Sequence, residues 1–194
     1  MSRLGRALIR LVGDLKDLEA RFALVGALAV SSRAEPRFTR DLDLAVSVAD
    51  DAEAEALILA LRRRGYDQHE DPLEHEGSGR LATVRLLIPE ETADGVVADL
   101  LFARTGIEPE VVDAAETMEI APGLRIPVAR PDHLLVQKLL ADRAQDRLDL
   151  EQLLPLCRGG EQVLARDAAR LIVERGFSRG KDLEALLDEL LTAG

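Results

Sequence analysis

The sequence has no tryptophan, one tyrosine, four phenylalanines and a single cysteine in 194 residues. With aromatics at 3%, its core has to be assembled from Leu, Val, Ile and Ala. The lone Cys157 excludes an internal disulfide and a cysteine-based zinc site. No apolar run approaches the roughly 20 residues that cross a bilayer. The opening Met-Ser-Arg-Leu-Gly-Arg leads into an amphipathic pattern, without the apolar stretch of a secretion signal. A soluble, cytoplasmic protein with no membrane partner is expected. Basic residues are also short: 25 Lys and Arg against 36 Asp and Glu leave a formal charge of −11. That balance argues against a generic nucleic-acid surface, which works by neutralising phosphates. It still allows a local basic patch, for which Arg33, Arg37 and Arg40 are the candidates.

What is present is ordinary for a folded protein: 47% apolar and 31% charged residues, enough chain for one sizeable core or a compact domain with a helical appendage. Leu8, Leu11, Val12, Leu15 and Leu18 recur at helical spacing and predict a helix over 6–19. Phe22-Ala23-Leu24-Val25 reads as a buried strand ending at Gly26, followed at once by a short helix over 27–32 that Pro36 stops. Residues 41–46 alternate with period two, a strand; 52–64 form a helix capped by Asp50 or Asp51 and closed by Gly65. The stretch 69–79, rich in Gly, Pro and charge, is expected to be loop or a frayed edge. Runs 81–88 and 96–102, joined through Asp94-Gly95, predict an antiparallel hairpin. A weaker helix over 106–115 precedes a second small hairpin over 120–128, turning at Pro122-Gly123. Beyond Pro131 only helical patterns remain, broken near Pro155, at Gly159-Gly160 and over 176–180. The expected architecture is α/β (α+β): a mixed-sheet core over 1–128, then a helical region over 129–194.

Three aspartates carry the chemistry. Asp41 and Asp43 are two apart on a predicted strand, so their carboxylates share a face. Two carboxylates held that close repel unless a positive charge sits between them, and oxygen-only ligands suit Mg²⁺ or Mn²⁺. Solvent exposure at a strand edge would explain the same pair. Asp99 lies within Val96-Val97-Ala98-Asp99-Leu100-Leu101-Phe102, where an unpaired buried carboxylate would cost several kcal/mol, roughly. A strand beside that of Asp41 and Asp43 would bring it to the same ion. Gly26, at a strand-to-helix junction, lets an anion approach backbone N–H groups closely, though a plain turn would also use a glycine. Lys138 interrupts the apolar stripe of Leu134 and Leu135; it either reaches a phosphate or snorkels to pair with Asp142. His69, His75 and His133 form no metal-ligand pair and read as surface residues.

Strand–Gly26-Ala27–helix, then Arg37-Phe-Thr-Arg40-Asp41-Leu42-Asp43, then an Asp99 strand, is an order that resembles the polymerase-β-like nucleotidyltransferase superfamily. Within it, Leu24-Val-Gly-Ala-Leu-Ala-Val, Pro36-Arg-Phe-Thr-Arg-Asp-Leu-Asp43 and Pro131-Asp-His-Leu-Leu-Val-Gln-Lys138 with Asp146-Arg-Leu-Asp149 resemble the AbiEii/AbiGii-type branch, many of whose members are toxins of toxin–antitoxin pairs. The similarity covers about residues 22–154.

The resemblance implies transfer of a nucleoside monophosphate from an NTP to a hydroxyl, with Mg²⁺ or Mn²⁺. Asp41 and Asp43 would hold both ions and the triphosphate, while Asp99 would hold the catalytic ion and help deprotonate the acceptor. Gly26, Ala27, Arg40 and Lys138 would contact the nucleotide. Ala27 stands where the family usually has Gly, Ser or Thr, so a hydroxyl contact to phosphate is replaced by backbone alone. Asp146 and Asp149, with Arg143 and Arg147, are expected to form an ion-pair network that positions Lys138. The acceptor is left open among tRNA or another RNA, a protein and a small molecule such as an aminoglycoside; a cognate antitoxin is an implied partner. A catalytically degenerate nucleotide- or partner-binding module is the rival from another class, and a structural α/β protein with surface aspartates is a third.

Overall fold

The computed structural model describes residues 2–35, 39–75, 79–89 and 95–193, with the backbone alone for 68–75 and 193. Ser2 opens the first helix, α1 (Arg3–Asp17), by accepting a hydrogen bond from Gly5 N at 3.1 Å. Its 3.6-residue stripe of Ala7, Leu8, Leu11, Val12 and Leu15 is buried and lies across the sheet. Leu11 and Leu15 are fully enclosed, and truncating either to Ala should cost about 2–5 kcal/mol. Strand β1 (Arg21–Val25) runs straight into α2 (Gly26–Arg33). Strand β2 (Leu42–Ser47) leads to α3 (Asp51–Arg63), where Asp50 accepts from Glu53 N at 2.9 Å and Glu53 accepts in return from Ala49 N at 2.6 Å.

The described residues place seven strands in one mixed sheet of order β3-β4-β5-β2-β1-β7-β6. Strands β4 (Leu81–Ile88) and β5 (Val96–Leu101) pair antiparallel, as the alternation predicts; Asp94 of the expected turn lies outside the described residues, as do Pro36 and Arg37. The helix α4 (Glu108–Asp113) and the hairpin β6 (Glu116–Ala121)–β7 (Leu124–Val128) follow, with Ala121 and Leu124 flanking the Pro122-Gly123 turn. Strand β7 joins the sheet parallel to β1, at Leu24 and Val128.

The stretch 69–79, expected as loop or frayed edge, is an edge over 69–75, which belong to the strand β3 (Asp67–His75); 76–78 lie outside the described residues. That strand lies at the sheet's margin and pairs with β4 through two shifts of register. A margin strand tolerates Pro72 and charge because one side of it needs no ladder partner.

After Val128 the chain is helical throughout: α5 (Pro131–Ala141), α6 (Asp146–Leu153), a 3-10 turn (Leu154–Leu156), α7 (Gly160–Glu174) and α8 (Leu183–Ala193). Helix α5 packs on α2, α6, α7 and α8. One continuous apolar cluster runs from Ala7 through the sheet to Leu187. The link between α7 and α8 reaches back to the segment after β5. Arg175 donates to the Gly106 carbonyl and to both Glu110 oxygens, Arg179 donates to the Arg104 carbonyl at 2.9 Å, and the Phe177 ring covers Gly106 so closely that a Cβ there would collide with it. No helix of the described residues is long and apolar enough to cross a membrane.

Candidate active site

Sheet register assembles a row of charges. Arg85 on β4 stands opposite Asp99 on β5, Asp99 stands opposite Asp43 on β2, and Asp43 stands opposite Val25 on β1. Residues paired in register share a face, so two carboxylates and a guanidinium lie side by side on one surface of the sheet. The alternation sends Val96, Ala98 and Leu100 into the core and leaves Val97, Asp99 and Leu101 half-buried. Asp99 is therefore not orphaned in apolar surroundings. Arg85 grips it with both arms of its fork, Nε to Oδ1 at 2.8 Å and Nη2 to Oδ2 at 2.7 Å.

Asp43 has a harder position. Burial pushes its carboxyl up to about 6, the neighbouring Asp99 adds to the rise, and Lys138 and Arg143 pull the other way. Gly26 is what lets Asp43 sit there. Its φ of +65° is a left-handed conformation suited to glycine, and a Cβ on it would collide with Asp43 Oδ2. The first turn of α2 begins at that glycine with no side-chain cap, next to the carboxylate. Asp41 falls one residue before β2 and is exposed, so the pair predicted on a single strand is split between strand and strand entry.

A cleft of ≈ 100 Å³ adjoins Gly26 and Asp43, and its far wall is cationic, with Arg104, Lys138, Arg143 and Arg179 among its lining. Thr105, also on the wall, is held by the buried Glu108, whose Oε1 accepts from Thr105 N at 2.7 Å and from its Oγ1 at 2.8 Å. Lys138 is enclosed. Its Nζ lies 3.0 Å from Asp146 Oδ1 and 2.7 Å from Asp149 Oδ2, and both acids are fully buried. Arg143 donates to Asp146 Oδ2 at 2.9 Å. Burial pushes the Asp146 carboxyl up, but Arg143 and Lys138 outweigh it and hold the group below the usual carboxylate range.

Of the ion-pair network expected around Lys138, Asp146, Asp149 and Arg143 take their places, while Arg147 is exposed and stands outside it; Asp142, the alternative partner of Lys138, pairs with Lys181 at 3.1 Å. Ala27 lies half-buried in the first turn of α2, and Arg40 is exposed ahead of β2. Of the basic patch expected at Arg33, Arg37 and Arg40, only Arg33 and Arg40 are described. Arg33 is spent on the Val128 and Ala129 carbonyls and Glu116, tying α2 to the second hairpin, and Arg37 lies outside the described residues. His133 is buried, contrary to its reading as a surface residue; the side chains of His69 and His75 lie outside the described residues. Residues 85, 104 and 179 gave little sequence signal as site residues, save that Arg85 is the lone charge in an apolar run.

Whether these groups suit a divalent ion turns on their donors. Asp43 and Asp99 are adjacent oxygen ligands whose mutual repulsion a cation would relieve, and the missing Cβ of Gly26 leaves room at Asp43. Among the described residues no group of three or more acids or histidines is already gathered around one point. Asp99 is turned to Arg85. The donor chemistry fits; one donor has to change partner.

Over residues 10–193 the chain matches the family described as "Nucleotidyl transferase AbiEii toxin, Type IV TA system". Among solved structures it is similar to an antigenic nucleotidyltransferase-like protein from Paracoccidioides brasiliensis, at 17% identity and a TM-score of 0.55, covering 94% of this chain and 91% of that one. It is also similar to a putative nucleotidyltransferase from Thermotoga maritima, at 16% identity and a TM-score of 0.52, covering 78% of this chain and 93% of that one. No curated protein matches it.

Proposed function

The chain belongs to the AbiEii nucleotidyl transferase toxin family, and we propose that it moves a nucleoside monophosphate from an NTP to a hydroxyl acceptor, with Mg²⁺ or Mn²⁺. The observation that carries this reading is the register pairing of Asp43 with Asp99 beside Gly26, with Asp43 lining a cleft whose other lining residues include Arg104, Lys138, Arg143 and Arg179. Asp43, Asp99 and, from the strand entry, Asp41 are the residues that would hold divalent ions. Such ions would stabilise the attacking and leaving oxygens of an in-line displacement at the α-phosphorus.

The chain's own groups do the rest. The uncapped first turn of α2, at Gly26 and Ala27, offers N–H groups to phosphate oxygens. Lys138 and Arg143, whose charge the buried Asp146 and Asp149 offset, hold N–H donors in fixed places on the opposite wall, and Arg104 and Arg179 also line the cleft. The cleft is smaller than the roughly 300–1,000 Å³ of pockets that enclose a whole small ligand, so it suits a phosphate chain with the base held outside it. Asp99, once released by Arg85, would accept a proton from an incoming hydroxyl. The helical region over 129–194 forms the second wall of the cleft, and Arg40 contacts the ligand only from its exposed edge.

The acceptor is a hydroxyl of tRNA or another RNA, of a protein, or of a small molecule, and a cognate antitoxin is the proposed protein partner. Incubation with α-labelled NTPs, Mg²⁺ or Mn²⁺ and each acceptor class tests this. A labelled product with released pyrophosphate, lost in Asp43→Asn, is expected. A second reading is favoured by Ala27, which supplies no hydroxyl: a nucleotide-binding module without chemistry. It predicts metal-dependent NTP binding by calorimetry and no labelled product with any acceptor.

A further inference from the structure

Arg85 occupies both oxygens of Asp99, at 2.8 and 2.7 Å. A carboxylate engaged that way has both syn lone pairs turned to the guanidinium and only its weaker anti lone pairs left over. For Asp99 to offer a divalent ion its stronger syn face, at least one of these bonds must open. The two partners differ in how firmly they are placed. The Asp99 side chain is 15% exposed and the Arg85 side chain 47%. Arginine is thus the partner on the open side, and its long stem lets the head swing into water while the acid stays.

The row order gives the pair a purpose. Asp99 stands between Arg85 and Asp43, so with Arg85 removed the two acids would face each other with no cation on the β4 side. We propose that Arg85 is a place-holding cation: it neutralises the Asp99 carboxylate while no divalent ion is bound and is displaced when one arrives, so that it sets the ion's affinity. The idea rests on the metal reading of Asp43 and Asp99. Arg85 itself touches no reacting atom in this scheme; it tunes the apparent affinity by competing for the same oxygens.

Mn²⁺ binding, followed by the paramagnetic signal of the free ion and by calorimetry, tests this on the full chain. Arg85→Gln should bind Mn²⁺ about five- to tenfold more tightly than wild type, the size of one well-formed ion pair lost from competition. Arg85→Lys, which keeps the charge but gives up the fork, should fall between the two, and it decides the matter if Arg85→Gln proves unfolded by circular dichroism. Without metal, Arg85→Gln should melt below wild type and gain more than wild type when Mn²⁺ is added. Equal Mn²⁺ affinity in wild type and both Arg85 variants, with binding lost in Asp43→Asn, would overturn the role of Arg85 alone. No binding in any protein, or binding indifferent to Asp43→Asn, would overturn the metal reading on which it rests.

Discussion

Two groups of charges meet one cleft, at Asp43 and at Lys138, and are built on opposite terms. On the sheet, Arg85, Asp99 and Asp43 stand in register along one face, and the arginine head is half open to water. Across the cleft, Lys138 sits between Asp146 and Asp149 with the lysine 5% exposed and both acids at 0%. A pair that water can reach is weak and exchangeable, because solvent competes for each partner. Charges removed from water cannot be left alone, so the same chemistry becomes a fixed frame. The first group suits ligand exchange and the second suits holding a wall in place.

The largest effect should come from touching the sheet side without harming the fold. Asp43→Asn should lower nucleotidyl transfer by about a thousandfold or more, the several kcal/mol that metal coordination supplies to a transition state. Its melting temperature should hold or rise, since the amide ends the repulsion with Asp99. Single-turnover rates and a thermal melt together check this. The opposite pattern is expected across the cleft: Lys138→Met, which leaves Asp146 to Arg143 and takes the lysine from the buried Asp149, should cost about 3 kcal/mol in urea unfolding. Adding Asp146→Asn and Asp149→Asn should restore most of that loss, and no restoration would show that the lysine matters for something other than charge balance. Gly26→Ala sits between the two groups. Forcing a side chain into the left-handed backbone should cost about 1–3 kcal/mol by denaturation, and the displaced Asp43 should weaken NTP binding measured by calorimetry.

The smallest effect lies away from both. Burial pushes the Asp14 carboxyl up, but hydrogen bonds from Arg64, Arg10 and Tyr66 prevail and hold it below the usual carboxylate range. A group depressed on folding contributes stability at neutral pH that fades as pH falls through its folded pKa. Asp14→Asn should therefore cost about 1 kcal/mol at pH 7 and nothing once the wild-type carboxyl is protonated, seen as converging denaturation midpoints in acid.

Much of the site was visible as residues out of place. Asp99 in an apolar run and Lys138 in an apolar stripe each announced a partner, and each has one. Which partner was hidden, because identity of neighbours depends on strand order and on how helices meet. Asp99 was expected to join the Asp41 and Asp43 ions, yet its nearest opposite charge is Arg85, supplied by the hairpin register. For Lys138 the sequence leaves two partners open, Asp142 one turn along the same helix and the Asp146–Asp149 pair. Asp142 ends α5 in a left-handed conformation, and the turn it makes delivers Asp146 and Asp149 from α6. Composition leaves β3 open between loop and edge, since Pro and charge at a sheet margin look like loop. The hairpins, α1, α3 and the helical character beyond Pro131 were legible because period and caps fix them locally.

The α7–α8 link clasps Gly106 and the Arg104 carbonyl, so the rim of the cleft is made by two stretches of chain about seventy positions apart. A protein ended by a stop codon ahead of Arg175 would keep all three aspartates and Lys138, yet lose the hand that steadies the Arg104–Gly106 side of the opening. Affinity tags, proteolytic nicks or fusions placed in that link would disturb substrate entry from a point that looks, along the chain, like a harmless tail.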